Sequence, residues 1–327
     1  MPDASKRKKA VIDIGTNSIK LCVGEGSNIS WSVTHDKIKI TRLGEGLNKS
    51  ELSALSSERS ITAIQNFAAK AREAGADEIR AIGTAALRKA ANANDFCARV
   101  KDTCGIDIEI ISGEREAQLS HGAAVLSAAA SGADTLSDHG RKCVVFDIGG
   151  GSIEFIFSEN EKICRRCSLN FGVLDIKGKY FMNEPAKNAK NAGSAGKKSV
   201  SGACLEIAKL LDEGRLIIPK DGFTLIGIGG TVTTMASVKL KLEKYLPDKV
   251  NGTILNAGDV ESQIDLYLNS TLAERVKIPG LDADRADIIL AGACIVETIM
   301  SSFSAHSLIV SANGLRHAAL AEMFQVN

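Results

Sequence analysis

Apolar, β-branched runs separated by polar residues open the chain at 10–14, 19–24, 30–34 and 37–41, and this pattern predicts four strands. From about 57 to 74 the apolar spacing becomes that of a helix, closed by Gly75. EIRAIGTAALRKA then reads as strand, turn and helix start, with AIG at 81–83, Thr84 as a candidate cap and Arg88 one turn inside the helix. IDIEIISGEREAQLSHGAAVLSAAA repeats the scheme, with a strand at 107–111 and a helix over about 113–130. SGADTLSDHGRK, residues 131–142, is rich in Ser, Gly and Asp and predicts a domain junction.

The second half begins again with strands, at 143–148, 153–158 and 162–168. TLIGIGGTVTTMASV, 224–238, reads as strand, tight glycine turn and helix, and DADRADIILAGACIVETIM, 282–300, as a helix. SLIVSANGLRHAALAEMF predicts a strand, a turn at Asn313-Gly314 and a last helix that crosses back to the first domain. Two halves with the same order of elements predict an α/β protein of two domains. Their bounds are 1–135 with a C-terminal helix over about 315–327, and 136–314. A length of 327 residues admits both cores, since single cores stop growing at about 250–300 residues. EPAKNAKNAGSAGKKS, 184–199, predicts a surface loop; Asn191 stands where a phosphate loop needs glycine.

Two stretches carry the candidate chemistry. AVIDIGTNSIKLCV, 10–23, and VVFDIGGGSIEFIF, 144–157, both run strand, aspartate, glycine turn, hydroxyl residue, strand. Glycine lets a ligand approach the main chain closely, so several N–H groups can converge on one anion. Hydroxyls at Thr16, Ser18, Ser152, Thr231 and Thr233 add donors. Asp13 and Asp147 would repel a phosphate directly and make sense as ligands of a divalent cation beside it, or as caps of their own turns. Glu154 lies on the returning strand, either facing solvent or serving as a functional carboxylate. In ISGEREAQL, Ser112 is a plausible helix cap that puts Glu114 and Glu116 in the first turn. Two residues apart on a helix they diverge by about 200°, so only one can face a cleft.

Charge narrows the classes. Forty basic residues against thirty-nine acidic give a net charge of +1, which asks for neither nucleic acid nor a membrane surface. The basic start MPDASKRKK is followed by Asp13 rather than an uninterrupted apolar segment, so no signal peptide is expected, and IILAGACIVETIM is too short to span a membrane. Eight cysteines scattered through apolar runs suit a reduced, cytoplasmic protein. The pair Cys164 and Cys167 lacks the second half of a metal site, and His317 is expected on a helix surface. No GxxxxGK[ST], HExxH or GxSxG motif is present.

The set VIDIGTNSIKL, TRLGEGL, AIGTAALR, IISGEREA, VVFDIGGGSIE, GIGGT, DRADIILAGA and VSANGLR, in order from residue 10 to 318, resembles the exopolyphosphatase/guanosine pentaphosphate phosphohydrolase family. That resemblance implies the actin, Hsp70 and sugar-kinase superfold: two duplicated ribonuclease H-like domains with mixed sheets flanked by helices, the active site in the cleft between them. It implies that Glu116 is the catalytic glutamate, and that the paired acids Asp147 and Glu154 hold Mg²⁺ (Mn²⁺ being possible) and orient the attacking water; Asp13 stays a metal candidate from its place before the first turn. Gly15, Thr16, Asn17 and Ser18, Gly149, Gly150, Gly151 and Ser152, and Gly229, Gly230 and Thr231 become phosphate-contacting turns. Arg88 and Lys20 become further contacts, Lys20 standing where some relatives carry arginine, and Arg115 standing where many carry a third acid. The implied reaction is hydrolysis of a terminal phosphoanhydride, of polyphosphate first and guanosine pentaphosphate second, by a possible homodimer. A kinase of the same superfold and a noncatalytic phosphate or alarmone sensor are the competing readings.

Overall fold

The computed structural model describes residues 7–325 apart from 29, 46, 48–50, 131–141, 161, 183–191 and 220–221. Two compact units divide the chain, Met1–Ala123 with Gly314–Asn327, and Ala124–Asn313. The junction expected at 131–142 lies almost wholly outside the described residues.

In the first unit, β1 (Arg7–Ile14), β2 (Ser18–Gly26) and β3 (Trp31–Ile40) form an antiparallel meander. Helix α1 (Ala54–Glu73) leads to β4 (Glu78–Gly83), and α2 (Ala85–Lys89) and α3 (Ala93–Cys104) lead to β5 (Ile108–Ile110). The sheet order is β3-β2-β1-β4-β5, with β4 parallel to β1 and β5 parallel to β4. Helix α4 (Gly113–Ala130) follows. The segments expected at 30–34 and 37–41 are one strand, continuous past a bulge opposite Val23 and Gly24. Helix α1 starts earlier than its apolar spacing suggests because the Ser53 hydroxyl accepts the Ser56 N–H at 3.1 Å. It ends at Gly75, whose φ of +83° stops the helix without a Cβ clash.

β1 is apolar on both faces because helices cover both. Ala10, Ile12 and Ile14 pack with Ile64, Phe67 and Phe96, whereas Val11 shares the other face with Ile82, Leu119, Leu320 and Phe324. The C-terminal helix, Leu315–Gln325, supplies part of that second layer against β1 and β2. Phe324 stacks on Trp31 with ring centroids 5.4 Å apart, and Lys9 Nζ donates to the Met323 carbonyl at 2.6 Å.

Beneath this helix lies a buried ionic cluster. Arg316 donates to both Asp36 oxygens, at 2.9 and 2.7 Å, and His317 Nε2 lies 3.2 Å from Asp36 Oδ2 while its Nδ1 accepts the Gly314 N–H. His317 is therefore a buried partner of β3 rather than a helix-surface residue; the apolar spacing of the last helix did not reveal an acid waiting on a strand far away in sequence. Burial and the charge of Arg316 hold the imidazole below its ordinary pKa. Burial alone would raise Asp36, but the His317 hydrogen bond and the Arg316 charge outweigh it and hold the carboxyl well below the usual range. Cys22, opposite Asp36 in the sheet, is pushed up to about 12 by burial and that carboxylate.

The second unit repeats the plan. β6 (Lys142–Ile148), β7 (Ile153–Glu159) and β8 (Lys162–Leu169) form an antiparallel meander, followed by α5 (Val173–Tyr180) and α6 (Ala192–Glu213). Then come β9 (Thr224–Ile228), α7 (Gly230–Lys239), β10 (Ile254–Asn256), α8 (Ala257–Leu268), α9 (Ile289–Ser302) and β11 (Ser307–Val310). The order β10-β11-β9-β6-β7-β8 matches the first sheet, with β10 as an added antiparallel edge. Each unit is thus a mixed sheet flanked by helices.

Residues 192–199, expected as loop, open α6 instead; 184–191 lie outside the described residues. The helix expected over 282–300 begins only at Ile289, because Asp282 caps a 3-10 turn over Ala283–Arg285 first. Cys164 is the bulged, exposed residue of β8, Cys167 pairs in register with Phe155, and among the described residues no cluster of three metal-ligating side chains includes them. All eight cysteines are free thiols, and among the described residues no helix is long and apolar enough to cross a membrane.

Candidate active site

The two glycine turns share one construction. In the first, Gly15 N–H donates to Ser18 O at 3.0 Å, closing the β1–β2 hairpin. Its carbonyls are tied back: Thr16 O accepts the Gly44 N–H at 2.9 Å, and Asn17 O accepts those of Thr41 and Arg42 at 3.0 and 2.9 Å. In the second, Gly149 N–H donates to Ser152 O at 2.9 Å, Gly149 O accepts the Val173 N–H at 3.0 Å and Gly150 O accepts that of Leu174 at 2.9 Å. A different element backs each turn, the loop after β3 in one and the N-terminus of α5 in the other. The outcome is the same: among the described residues the N–H groups of Thr16, Asn17, Gly150 and Gly151 make no hydrogen bond. Carbonyls held behind and amides left in front make a concavity for anions.

The flanking charges differ. Asp13 pairs in register with Lys20, Nζ to Oδ2 3.2 Å, and is buried. The matching position opposite Asp147 is Glu154, so the second hairpin sets two carboxylates directly across from each other. Glu154 Oε1 accepts the Ser168 hydroxyl at 3.2 Å, and both acids are half-buried.

A third turn belongs to the second hairpin. Gly229, φ +88°, presses its backbone on Asp147 so closely that a Cβ there would lie 2.2 Å from Oδ1. A Cβ on Gly230, the first residue of α7, would lie 2.1 Å from the guanidinium carbon of Arg285. Arg285 thus lies against the third turn, a residue not named among the candidates. Arg285 belongs to the DRADIILAGA stretch that carries the resemblance, but only the fold shows that it lies at this turn. The hydroxyls expected here are otherwise engaged: Thr231 is buried with its side chain against Gly292, and Thr233 Oγ1 donates to Gly229 O at 2.9 Å. What α7 offers a ligand is backbone N–H.

In the first unit, Ser112 Oγ accepts the Arg115 N–H at 3.1 Å and caps α4 as expected. The fold then separates the two glutamates of that turn. Glu114 is exposed, whereas Glu116 is half-buried, with Oε2 2.7 Å from Arg88 Nη1, and the same nitrogen donates to Ile111 O at 3.0 Å. Arg115 turns away to pair with Glu322. A carboxylate and a guanidinium therefore stand side by side at the start of α4. Asp13, Gly15 to Ser18, Lys20, Arg88 and Glu116 fall in the first unit, and Asp147, Gly149 to Ser152, Glu154 and Gly229 to Thr231 in the second.

Residues 25–326 match the Ppx/GppA phosphatase family. The chain belongs to that family. Among Ppx/GppA relatives, an exopolyphosphatase 2 of Mycobacterium tuberculosis is 26% identical over 301 residues, 89% of each chain. A guanosine-5'-triphosphate,3'-diphosphate pyrophosphatase of Photobacterium profundum is 27% identical over 96% of this chain and 59% of its own length. A bifunctional 3-dehydroquinate synthase/phosphatase of Fusobacterium nucleatum is 30% identical over 322 residues, 96% of this chain and 46% of that protein. The chain thus spans about half to three fifths of the length of two of these relatives. The crystal structure of the Aquifex aeolicus Ppx/GppA phosphatase superposes with a TM-score of 0.76 at 27% identity, covering 97% of this chain and 99% of that one.

Gly230→Ala is expected to leave the fold intact, because the displaced neighbour is the tip of a flexible arginine. If Arg285 binds a phosphate at this turn, displacing it should lower kcat/KM by about tenfold or more, the worth of one charge-assisted hydrogen bond. Melting temperature and steady-state phosphate release measured together check this.

Proposed function

We propose that the chain hydrolyses the terminal phosphoanhydride of inorganic polyphosphate, with guanosine pentaphosphate as the second reading. The observation that carries the proposal is the repeated turn with its carbonyls held behind and its amides open, which suits phosphate twice over. Polyphosphate comes first because the relative named an exopolyphosphatase is matched over 89% of its own length, and the relative named for the guanosine substrate over 59%. The free thiols support a reducing, cytoplasmic setting.

In this reading the amides of Thr16, Asn17, Gly150, Gly151 and the first turn of α7 bind phosphoryl oxygens, with Ser18 and Ser152 beside them. Lys20, Arg88 and Arg285 neutralise their charge, and Glu116 orients water and takes its proton for in-line attack. Asp13 enters as the residue that holds Lys20 in place.

The family implies Mg²⁺, and the second hairpin fits it. Two carboxylates in register across an antiparallel pair offer hard oxygen donors on one site, the ligand type this ion takes. Among the described residues no third carboxylate, imidazole or thiol joins Asp147 and Glu154. Mg²⁺ typically takes one or two carboxylates and fills its remaining positions with water and phosphate. Held there, Mg²⁺ or Mn²⁺ would stabilise charge on the phosphoryl oxygens.

Phosphate release from long-chain polyphosphate and from guanosine pentaphosphate, in parallel and with Mg²⁺, tests the proposal. The ratio of the two kcat/KM values names the substrate, and binding without release from either would leave a sensor. Asp147→Asn should raise the Mg²⁺ concentration needed for half-maximal rate by about tenfold or more. An unchanged metal titration would remove the ion from this pair.

A further inference from the structure

Arg42 lies in the left-handed backbone region, φ +48°, which a residue with a Cβ enters only against steric resistance. Its neighbours Thr41 and Leu43 are fully buried, whereas Arg42 is exposed. The backbone is fastened on two sides. Toward the first glycine turn, the N–H groups of Thr41 and Arg42 share the Asn17 carbonyl and Gly44 takes that of Thr16. On the other side, Arg59 donates to the carbonyls of Thr41 and Arg42 and pairs with Glu45 at 2.8 Å.

The nearby acid is thereby taken, and among the described residues the Arg42 guanidinium makes no hydrogen bond or ion pair. A strained residue whose side chain has no partner in the protein gains nothing in stability that glycine would not give better. Its position is distinctive: its backbone N–H donates to Asn17 O, and Asn17's own amide is left open to an anion, so a permanent cation is anchored within side-chain reach of the first turn. A guanidinium there matches the geometry of a phosphate group and can bind it through two parallel hydrogen bonds.

We propose that Arg42 is a substrate-contacting residue that binds a phosphate group beyond the terminal one, with Arg59 as the positioning residue that holds its backbone. This inference rests on the phosphoanhydride reading. Both candidate substrates carry such further phosphates, so it applies to either.

The test compares wild type, Arg42→Ala, Arg42→Lys and Arg42→Gly in steady-state phosphate release from polyphosphate and guanosine pentaphosphate, with melting temperatures. Removing the guanidinium should raise KM by about tenfold or more on each substrate the wild type turns over, more than it lowers kcat. Arg42→Lys should recover part of the loss, as a point charge without the fork. Arg42→Gly should melt at or above wild type while losing the same affinity, which a structural role for Arg42 would not produce. Wild-type KM in Arg42→Gly on every substrate turned over would overturn the inference and leave the proposed reaction standing. An inactive wild type would overturn the reaction itself and this inference with it.

Discussion

Glu116→Gln is expected to lower turnover by about two to four orders of magnitude, the usual contribution of a general base. Gln keeps the length and shape of Glu and its amide oxygen can still accept from Arg88, 2.7 Å from Glu116 Oε2 in the wild type. The variant should therefore fold and melt like wild type. What it loses is the negative charge and the capacity to take a proton from water. Glu114→Gln is the matched control: it lies in the same first turn of α4, is exposed, and should retain activity. Phosphate release at saturating substrate, with both variants checked by circular dichroism, decides the matter. Near wild-type turnover in folded Glu116→Gln would assign the base elsewhere.

The largest expected effect on stability is at Arg316. Arg316→Met removes the guanidinium from a buried carboxylate and leaves Asp36 with the His317 imidazole alone beneath the C-terminal helix; deleting one member of a buried ion pair costs about 3–5 kcal/mol. Against a total of about 5–15 kcal/mol this should be plain in urea denaturation. The double variant Arg316→Met with Asp36→Asn should recover part of the loss, since it no longer buries a carboxylate without its guanidinium; an additive result would count against the pair as the cause. The same cluster sets the acid response. His317 is held below its ordinary value, so the unfolded chain takes up a proton that the folded one refuses, and stability falls as pH drops below about 6.5. Asp36 is depressed in the fold, so its contribution is complete above the ordinary carboxylate value and is lost only as pH falls through its lower folded value.

The strands and the two Asp-Gly hairpins were legible in sequence because these features are local. A tight turn needs glycine within a few residues, and the seven-residue spacing of Asp13 to Lys20 and Asp147 to Glu154 is the length of the hairpin that brings them into register. Ser112 as the cap of α4 was legible for the same reason. Where the local pattern was ambiguous it misled: loop composition at 192–199 gave way to helix once tertiary packing was available, and one bulged strand was read as two.

The sequence by itself thus determined an α/β chain with a duplicated Asp-Gly hairpin and a short set of candidate acids. The family resemblance, not helix periodicity, separated Glu116 from Glu114; only the tertiary structure set Glu116 against Arg88, paired Asp13 with Lys20, buried His317, laid Arg285 on Gly230 and fastened Arg42 to the first turn. Those relations join residues on different elements, or depend on which face an element buries. Their energies depend on burial and distance, quantities that exist only once the chain has packed.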